Sequence, residues 1–185
     1  DLDALLYCSV PDRGLQHLAR IFPQIEAQHP AAKLWITSDY SLWGDGIGSM
    51  NDRFRTMFGE NVTFFGKVPR AQLVQLQQSA NILAYPNCNV GGLYELFGIS
   101  VAECQVAGAF PITSKRGGLE TTVQSGVLID SEPGQGNYDE IFVNTVVSHL
   151  AAKPEDLDIY RTEMIRLARE RFSPKKVVDD WSVLF

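Results

Sequence analysis

Ile82-Leu83-Ala84-Tyr85-Pro86-Asn87-Cys88 and, after a loop, Phe97-Gly98-Ile99-Ser100-Val101-Ala102-Glu103-Cys104-Gln105-Val106-Ala107-Gly108, then Ala109-Phe110-Pro111-Ile112-Thr113-Ser114, decide the fold. A short apolar run stops at Pro86, an Ala/Val-rich helical segment stops at Gly108, and a second apolar run follows. Two such runs joined by a helix make a right-handed crossover between parallel strands. Strands covered on both faces read as continuous apolar runs, without in/out alternation.

The same unit repeats outward. Further apolar, β-branched and aromatic runs lie at residues 4–8, 34–37, 62–65 and 127–129, predicting about six strands. Helical periodicity separates them: Leu15, Leu18, Phe22 and Ile25 in one segment, Leu73, Leu76 and Ala80 in another. Pro23 is expected to end or kink the first of these helices. Beyond the sixth run the pattern is purely helical, with Ile141, Thr145, Val146 and His149, then Leu157, Tyr160, Met164 and Leu167. These tail helices are expected to pack on the sheet or on a neighbouring domain. The reading is an α/β, Rossmann-like, doubly wound parallel sheet with C-terminal helices, one domain over residues 1–185.

Composition narrows the function. Sixteen Lys and Arg against 22 Asp and Glu leave a formal charge of −6, so no overall basic field collects nucleic acid or anionic lipid. No apolar stretch approaches the ~20 residues of a membrane-spanning helix. An odd set of cysteines, Cys8, Cys88 and Cys104, in a chain large enough to hold together without disulfides suggests a reducing, cytoplasmic setting. The chain opens on Asp1 and passes at once into an apolar run, with no signal-peptide pattern, so we expect a piece of a longer protein. His17, His29 and His149 are dispersed and support neither a metal site nor a histidine triad. The glycine-rich residues 43–49 lack the spacing of a dinucleotide fingerprint and read as a mobile loop. Asn61-Val62-Thr63 matches a glycosylation sequon at the start of a strand, where chance accounts for it.

Open α/β sheets bind ligands beyond the carboxyl ends of their strands. Two loops there stand out. The helix after the fourth strand carries a single charged residue, Glu103, among Val101, Ala102, Cys104 and Val106. A ligand diol would satisfy such a carboxylate, and so would a protein partner or solvent. Glu95 stands just before the same helix, so both carboxylates are expected to line one crevice, with the N–H groups of Gly98, Ile99 and Ser100 between them. A Glu at that place also simply complements the helix dipole. In the loop after the first strand Arg13 fits a bidentate phosphate contact, or a pair with Asp12.

These residues resemble the retaining glycosyltransferases of family 4, the group 1 glycosyl transferases. Glu95 to Glu103 is similar to that family's E-x7-E motif. Ala107-Gly108-Ala109-Phe110-Pro111-Ile112-Thr113-Ser114 with Gly117-Gly118-Leu119-Glu120, Phe65-Gly66-Lys67-Val68 with Leu73 and Leu76, and Arg13-Gly14-Leu15 resemble its flanking segments in the same order. The resemblance implies the C-terminal, donor-binding half of a GT-B enzyme, lacking the N-terminal acceptor domain. It implies a nucleotide diphosphate sugar as substrate, a hexosyl transfer with retention, no cofactor and no metal. It assigns ribose hydroxyls to Glu103, hydroxyls of the transferred sugar to Glu95, the diphosphate to the Gly98-Ile99-Ser100 backbone and to Arg13, and the base to Lys67 and Val68. Glu95 and Arg13 would be the catalytic pair. The family's second basic residue is replaced by Cys8-Ser9, with Lys115 or Arg116 as substitutes from the loop after the fifth strand. A catalytically silent nucleotide-binding or interaction module of the same fold is the alternative.

Overall fold

In a computed structural model, which describes residues 1–39, 56–88 and 95–183, the apolar runs form β1 (Ala4–Tyr7), β2 (Lys33–Ile36), β3 (Val62–Phe64), β4 (Ile82–Tyr85), β5 (Phe110–Ser114) and β6 (Val127–Ile129). They make one six-stranded sheet in the order β3-β2-β1-β4-β5-β6, parallel at every pairing. The expected strand count and fold class hold. The central strands are apolar throughout because both faces are covered: every residue of β1 is fully buried. The edge strand β3 is only partly buried.

A 3-10 turn (Pro11–Arg13) and helices α1 (Leu15–Gln28), α2 (Arg70–Ser79), α3 (Ile99–Ala107), a single turn α4 (Leu119–Thr122), α5 (Tyr138–Leu150), α6 (Pro154–Phe172) and α7 (Pro174–Ser182) complete the described elements. Pro23 does not end α1, which continues to Gln28. Leu18, Ile21, Phe22 and Ile25 are buried around it, and that packing outweighs the hydrogen bond the proline removes. In α2 the expected leucine stripe is only half-buried, and the buried position is Gln77. In the tail, Ile141 and Tyr160 are exposed, while Phe142, Val143 and Val146 of α5 and Met164 and Ala168 of α6 turn inward. Helix α5 packs on α1, β5 and β6, and α6 packs on α3. The glycine-rich residues 43–49 lie outside the described residues.

Two glycines of the quoted motifs have steric reasons. Gly108 ends α3 at φ 103°, a left-handed conformation that side chains resist. A Cβ at Gly118 would meet the Leu96 carbonyl oxygen at 2.1 Å.

Candidate functional site

Strand order reverses between β1 and β4, and the loops after the strands diverge there. A pocket of about 460 Å³ opens at this point, lined by Cys8, Ser9, Val10 and Arg13 after β1, Thr37 after β2, Leu73 of α2, and residues 95 to 100 at the tip of α3. The tip begins at Gly98, left-handed at φ 78°. Val101 and Ala102 donate their N–H groups to the Gly98 carbonyl. Among the described residues no hydrogen-bond partner faces the N–H groups of Ile99 and Ser100, the unpaired donors of a helix start.

Glu95 is held from several directions. Its Oε2 accepts from Arg13 Nη1 at 3.1 Å and from the Tyr85 hydroxyl at 3.0 Å. Its Oε1 accepts from the Gly98 N–H at 3.0 Å, and its carbonyl accepts from the Gly118 N–H at 2.7 Å. The Thr122 hydroxyl donates to the Phe97 carbonyl. Burial raises the pKa of Tyr85, and the neighbouring Glu95 carboxylate adds to the rise, so the hydroxyl keeps its proton and donates. The Tyr85 oxygen in turn accepts from Asn87 Nδ2 at 2.8 Å. Arg13 gives one of its five N–H donors to Glu95 and, among the described residues, makes no other hydrogen bond while lining the pocket.

Glu103 lies elsewhere. It lines a second pocket, of about 380 Å³, between α2, α3 and α6, with Arg70, Gln77, Ala102, Arg169 and Phe172 in its wall. Arg70 grips both carboxylate oxygens, Nη1 to Oε2 at 2.9 Å and Nη2 to Oε1 at 2.8 Å, and Gln77 Nε2 donates to Oε2 at 3.2 Å. This hydrogen-bonded pairing raises the pKa of Arg70. The sequence reading placed both glutamates on one crevice. Instead they line two adjoining pockets that share Ile99: Glu95 stands before α3 at its tip, while Glu103 lies just over one turn inside the helix, in the wall shared with α2 and α6.

The structure brings Arg13, Glu95, Gly98, Ile99 and Ser100 together. Cys8 and Ser9 line the same pocket, at the place where the resemblance expects a cation. Lys67 is exposed and Val68 half-buried in the turn before α2, and neither lines a described pocket. Lys115 and Arg116 do not line this pocket, and each pairs with an acid beyond β6, Asp130 and Glu132. Sequence reasoning missed Thr37, Tyr85, Arg70 and Gln77. Tyr85 and Thr37 read as strand residues, and the partners of Glu103 sit 33 and 26 residues away.

Among the described residues no three His, Cys, Asp or Glu side chains gather as a metal-binding group. No described helix is long and apolar enough to cross a membrane.

Solved structures share this architecture. Anabaena HepE, crystallised with UDP and glucose, superposes with a TM-score of 0.72 at 16% identity, over 98% of this chain and 48% of HepE. The pneumococcal O-GlcNAc transferase GtfA, crystallised with UDP and GlcNAc, gives 0.67 at 16%, over 98% of this chain and 35% of GtfA. Among curated proteins, a D-inositol 3-phosphate glycosyltransferase of Segniliparus rotundus is 30% identical over 127 residues, 65% of this chain and 27% of the relative. A GDP-mannose-dependent monoacylated alpha-(1-6)-phosphatidylinositol monomannoside mannosyltransferase of Corynebacterium glutamicum is 30% identical over 126 residues, 65% of this chain and 32% of that enzyme. The chain thus spans about a third or less of these two curated relatives. Residues 4–152 match the family described as glycosyl transferases group 1, and the chain belongs to that family.

Proposed function

We propose that this chain is the nucleotide-sugar donor-binding domain of a retaining, metal-independent glycosyltransferase that moves a hexosyl unit from a nucleoside diphosphate sugar to an acceptor. The observation that carries the reading is the convergence of donors at one pocket: the Arg13 guanidinium and the Ile99 and Ser100 N–H groups, unpaired among the described residues, at the positive end of α3. That set suits an anion with several acceptor oxygens, such as a diphosphate. Negative charge developing on a departing diphosphate would be met by these same fixed donors. Glu95, already accepting three hydrogen bonds, keeps about one acceptor site, on Oε1, for a sugar hydroxyl. It also holds Arg13 in place.

Glu103 would accept from the ribose hydroxyls. For that, Arg70 must yield at least one carboxylate oxygen. Its side chain is 64% exposed, and an ion pair so open to water is worth at most about 1 kcal/mol. The base would then lie toward the turn that holds Lys67 and Val68. The acceptor site would belong to an N-terminal domain outside this sequence.

Calorimetry with UDP, GDP and ADP tests the reading. One of the three is expected to bind, and Glu103→Ala should weaken it by tenfold or more, the value of a hydrogen bond to a charged group. Equal affinity in the variant removes the ribose role. The engagement of Glu103 by Arg70 and Gln77 also suits a silent module of the same fold. Sugar transfer by the full-length protein decides against that second reading.

A further inference from the structure

The chain has three cysteines, and two of them meet. Cys8, just past the end of β1, and Cys104, in the second turn of α3, bring their sulfurs within 3.6 Å of each other from positions 96 residues apart. Sulfurs in a disulfide stand about 2 Å apart, so bond formation needs a further approach of about 1.6 Å. The two partners differ in access. Cys104 is fully buried, while Cys8 is half-buried and lines the pocket at the tip of α3. The third cysteine is an internal comparison. Cys88 is also half-buried, yet its sulfur contacts the Asp12 carbonyl at 3.8 Å and, among the described residues, no second sulfur. None of the three thiols has a part in the donor-binding reading.

Such a pair suits two-electron thiol chemistry, in which one sulfur attacks a peroxide and a second, lying beside it, resolves the product. The contact with Cys8, together with burial, holds the Cys104 thiol well above the usual thiol range. Cys8 is therefore the sulfur that meets a reagent entering from the pocket. We infer that Cys8 and Cys104 form a modification site for hydroperoxides, at which the two thiols are oxidised together to a disulfide. In the first step the Cys8 sulfur takes one oxygen of hydrogen peroxide: the S–O bond forms, the O–O bond breaks, and the other oxygen leaves as water with the thiol's proton. The Cys104 sulfur then attacks the Cys8 sulfenic acid: the S–S bond forms, the S–O bond breaks, and the hydroxyl departs as a second water with the Cys104 proton. Two thiols lose two electrons and two protons, and one peroxide becomes two waters. The new bond joins the end of β1 to α3, and both elements frame the pocket.

The test treats the reduced, folded chain with a small excess of hydrogen peroxide, caps the remaining thiols with N-ethylmaleimide in denaturant, and weighs the digested peptides. The chain is expected to lose two hydrogens, to yield one linked peptide pair holding Cys8 and Cys104, and to keep Cys88 as a capped thiol. Dithiothreitol should restore both linked thiols. In urea the unfolded chain should instead favour a link between Cys88 and Cys104, the pair closest in sequence. Cys88→Ser should leave the folded-state link unchanged. Cys104→Ala removes the resolving sulfur and should stop Cys8 at the sulfenic acid, which dimedone traps. Recovery of Cys8 and Cys104 as capped thiols from the parent overturns the inference. So does oxidation of Cys8 without a link, a folded-state link to Cys88, or the same pairing in the folded chain and in urea. The parent result decides even where Cys104→Ala fails to fold. Diphosphate affinity of the reduced chain is read separately, so the donor-binding reading stands or falls by itself.

Discussion

Arg70 holds Glu103 by both carboxylate oxygens, at 2.8 and 2.9 Å, from a helix that otherwise contributes little to the core. A carboxylate embedded in an almost uncharged helix is thereby neutralised by the protein itself. By the proposed reading, a ribose that engages Glu103 through both hydroxyls would compete with this guanidinium, and the pair would offset part of the donor affinity.

Removal of the competitor gives the first expectation. Arg70→Ala should tighten the nucleoside diphosphate by up to about fivefold, the equivalent of an exposed ion pair released before binding. It should lower folding stability by less than about 1 kcal/mol. Calorimetry and urea denaturation read the two effects separately, and weaker binding in Arg70→Ala would show that the arginine contacts the ligand.

At Gly118 backbone meets backbone. A methyl group there would lie 2.1 Å from the Leu96 oxygen and 2.8 Å from the Phe97 nitrogen, and neither is the end of a flexible side chain. Gly118→Ala should cost roughly 2–3 kcal/mol, as overpacking does in rigid surroundings. Urea midpoints check this, and a loss below 0.5 kcal/mol would mean that the two loops part easily.

Gln105 is fully buried and fully satisfied. Its Nε2 donates to the Val101 and Thr122 carbonyls, and its Oε1 accepts from the Gln124 and Ser125 N–H groups. Gln105→Leu leaves the Thr122 carbonyl and the Gln124 and Ser125 N–H groups without this partner and should cost roughly 3 kcal/mol, measurable as a lowered urea midpoint. It touches neither pocket, so in the fraction that stays folded diphosphate affinity should be unchanged.

The pH dependence centres on His149. Its ring stacks on Phe110 at 4.5 Å between centroids and contacts Asn81 Oδ1 at 3.3 Å. Burial, reinforced by the nearby Arg161, lowers its pKa from 6.5 to about 4. Between those values the unfolded chain binds the proton and the folded chain does not. Stability is therefore full above pH 6.5 and falls as the pH drops toward 4, by roughly 3 kcal/mol in all. Urea unfolding of the parent and His149→Gln between pH 4 and 7.5 should show a shallower slope in the variant. Parallel curves would assign the acid sensitivity to other groups.

The sheet was legible because parallel strands buried on both faces write themselves as unbroken apolar runs, as Ala4-Leu5-Leu6-Tyr7 and Ile82-Leu83-Ala84-Tyr85 do. The tip of α3 was legible for a related reason: Gly98 and Gly108 bracket a nearly chargeless segment. The continuation of α1 through Pro23 was hidden, because local preference signals a break and only the tertiary burial of Ile21, Phe22 and Ile25 overrides it. The partners of Glu103 were hidden as well. Nothing in Arg70 or Gln77 taken alone announces a glutamate on a neighbouring helix, and helix α2 turns a glutamine inward where periodicity points to leucine. Thr37 read as the end of a strand, and only the tertiary arrangement brings it into the pocket wall.

The contact of Gly118 with Leu96 and Glu95 ties the loop after β5 to the loop after β4. The Thr122 hydroxyl, which donates to the Phe97 carbonyl, ties the same two loops, and the Gly118 N–H is the direct link from the loop after β5 to Glu95. The Gly118 amide is thus a built-in reporter. Its nitrogen resonance and its solvent exchange register occupancy of the neighbouring cleft without any attached label, from a position whose lack of a side chain leaves nothing else to perturb it.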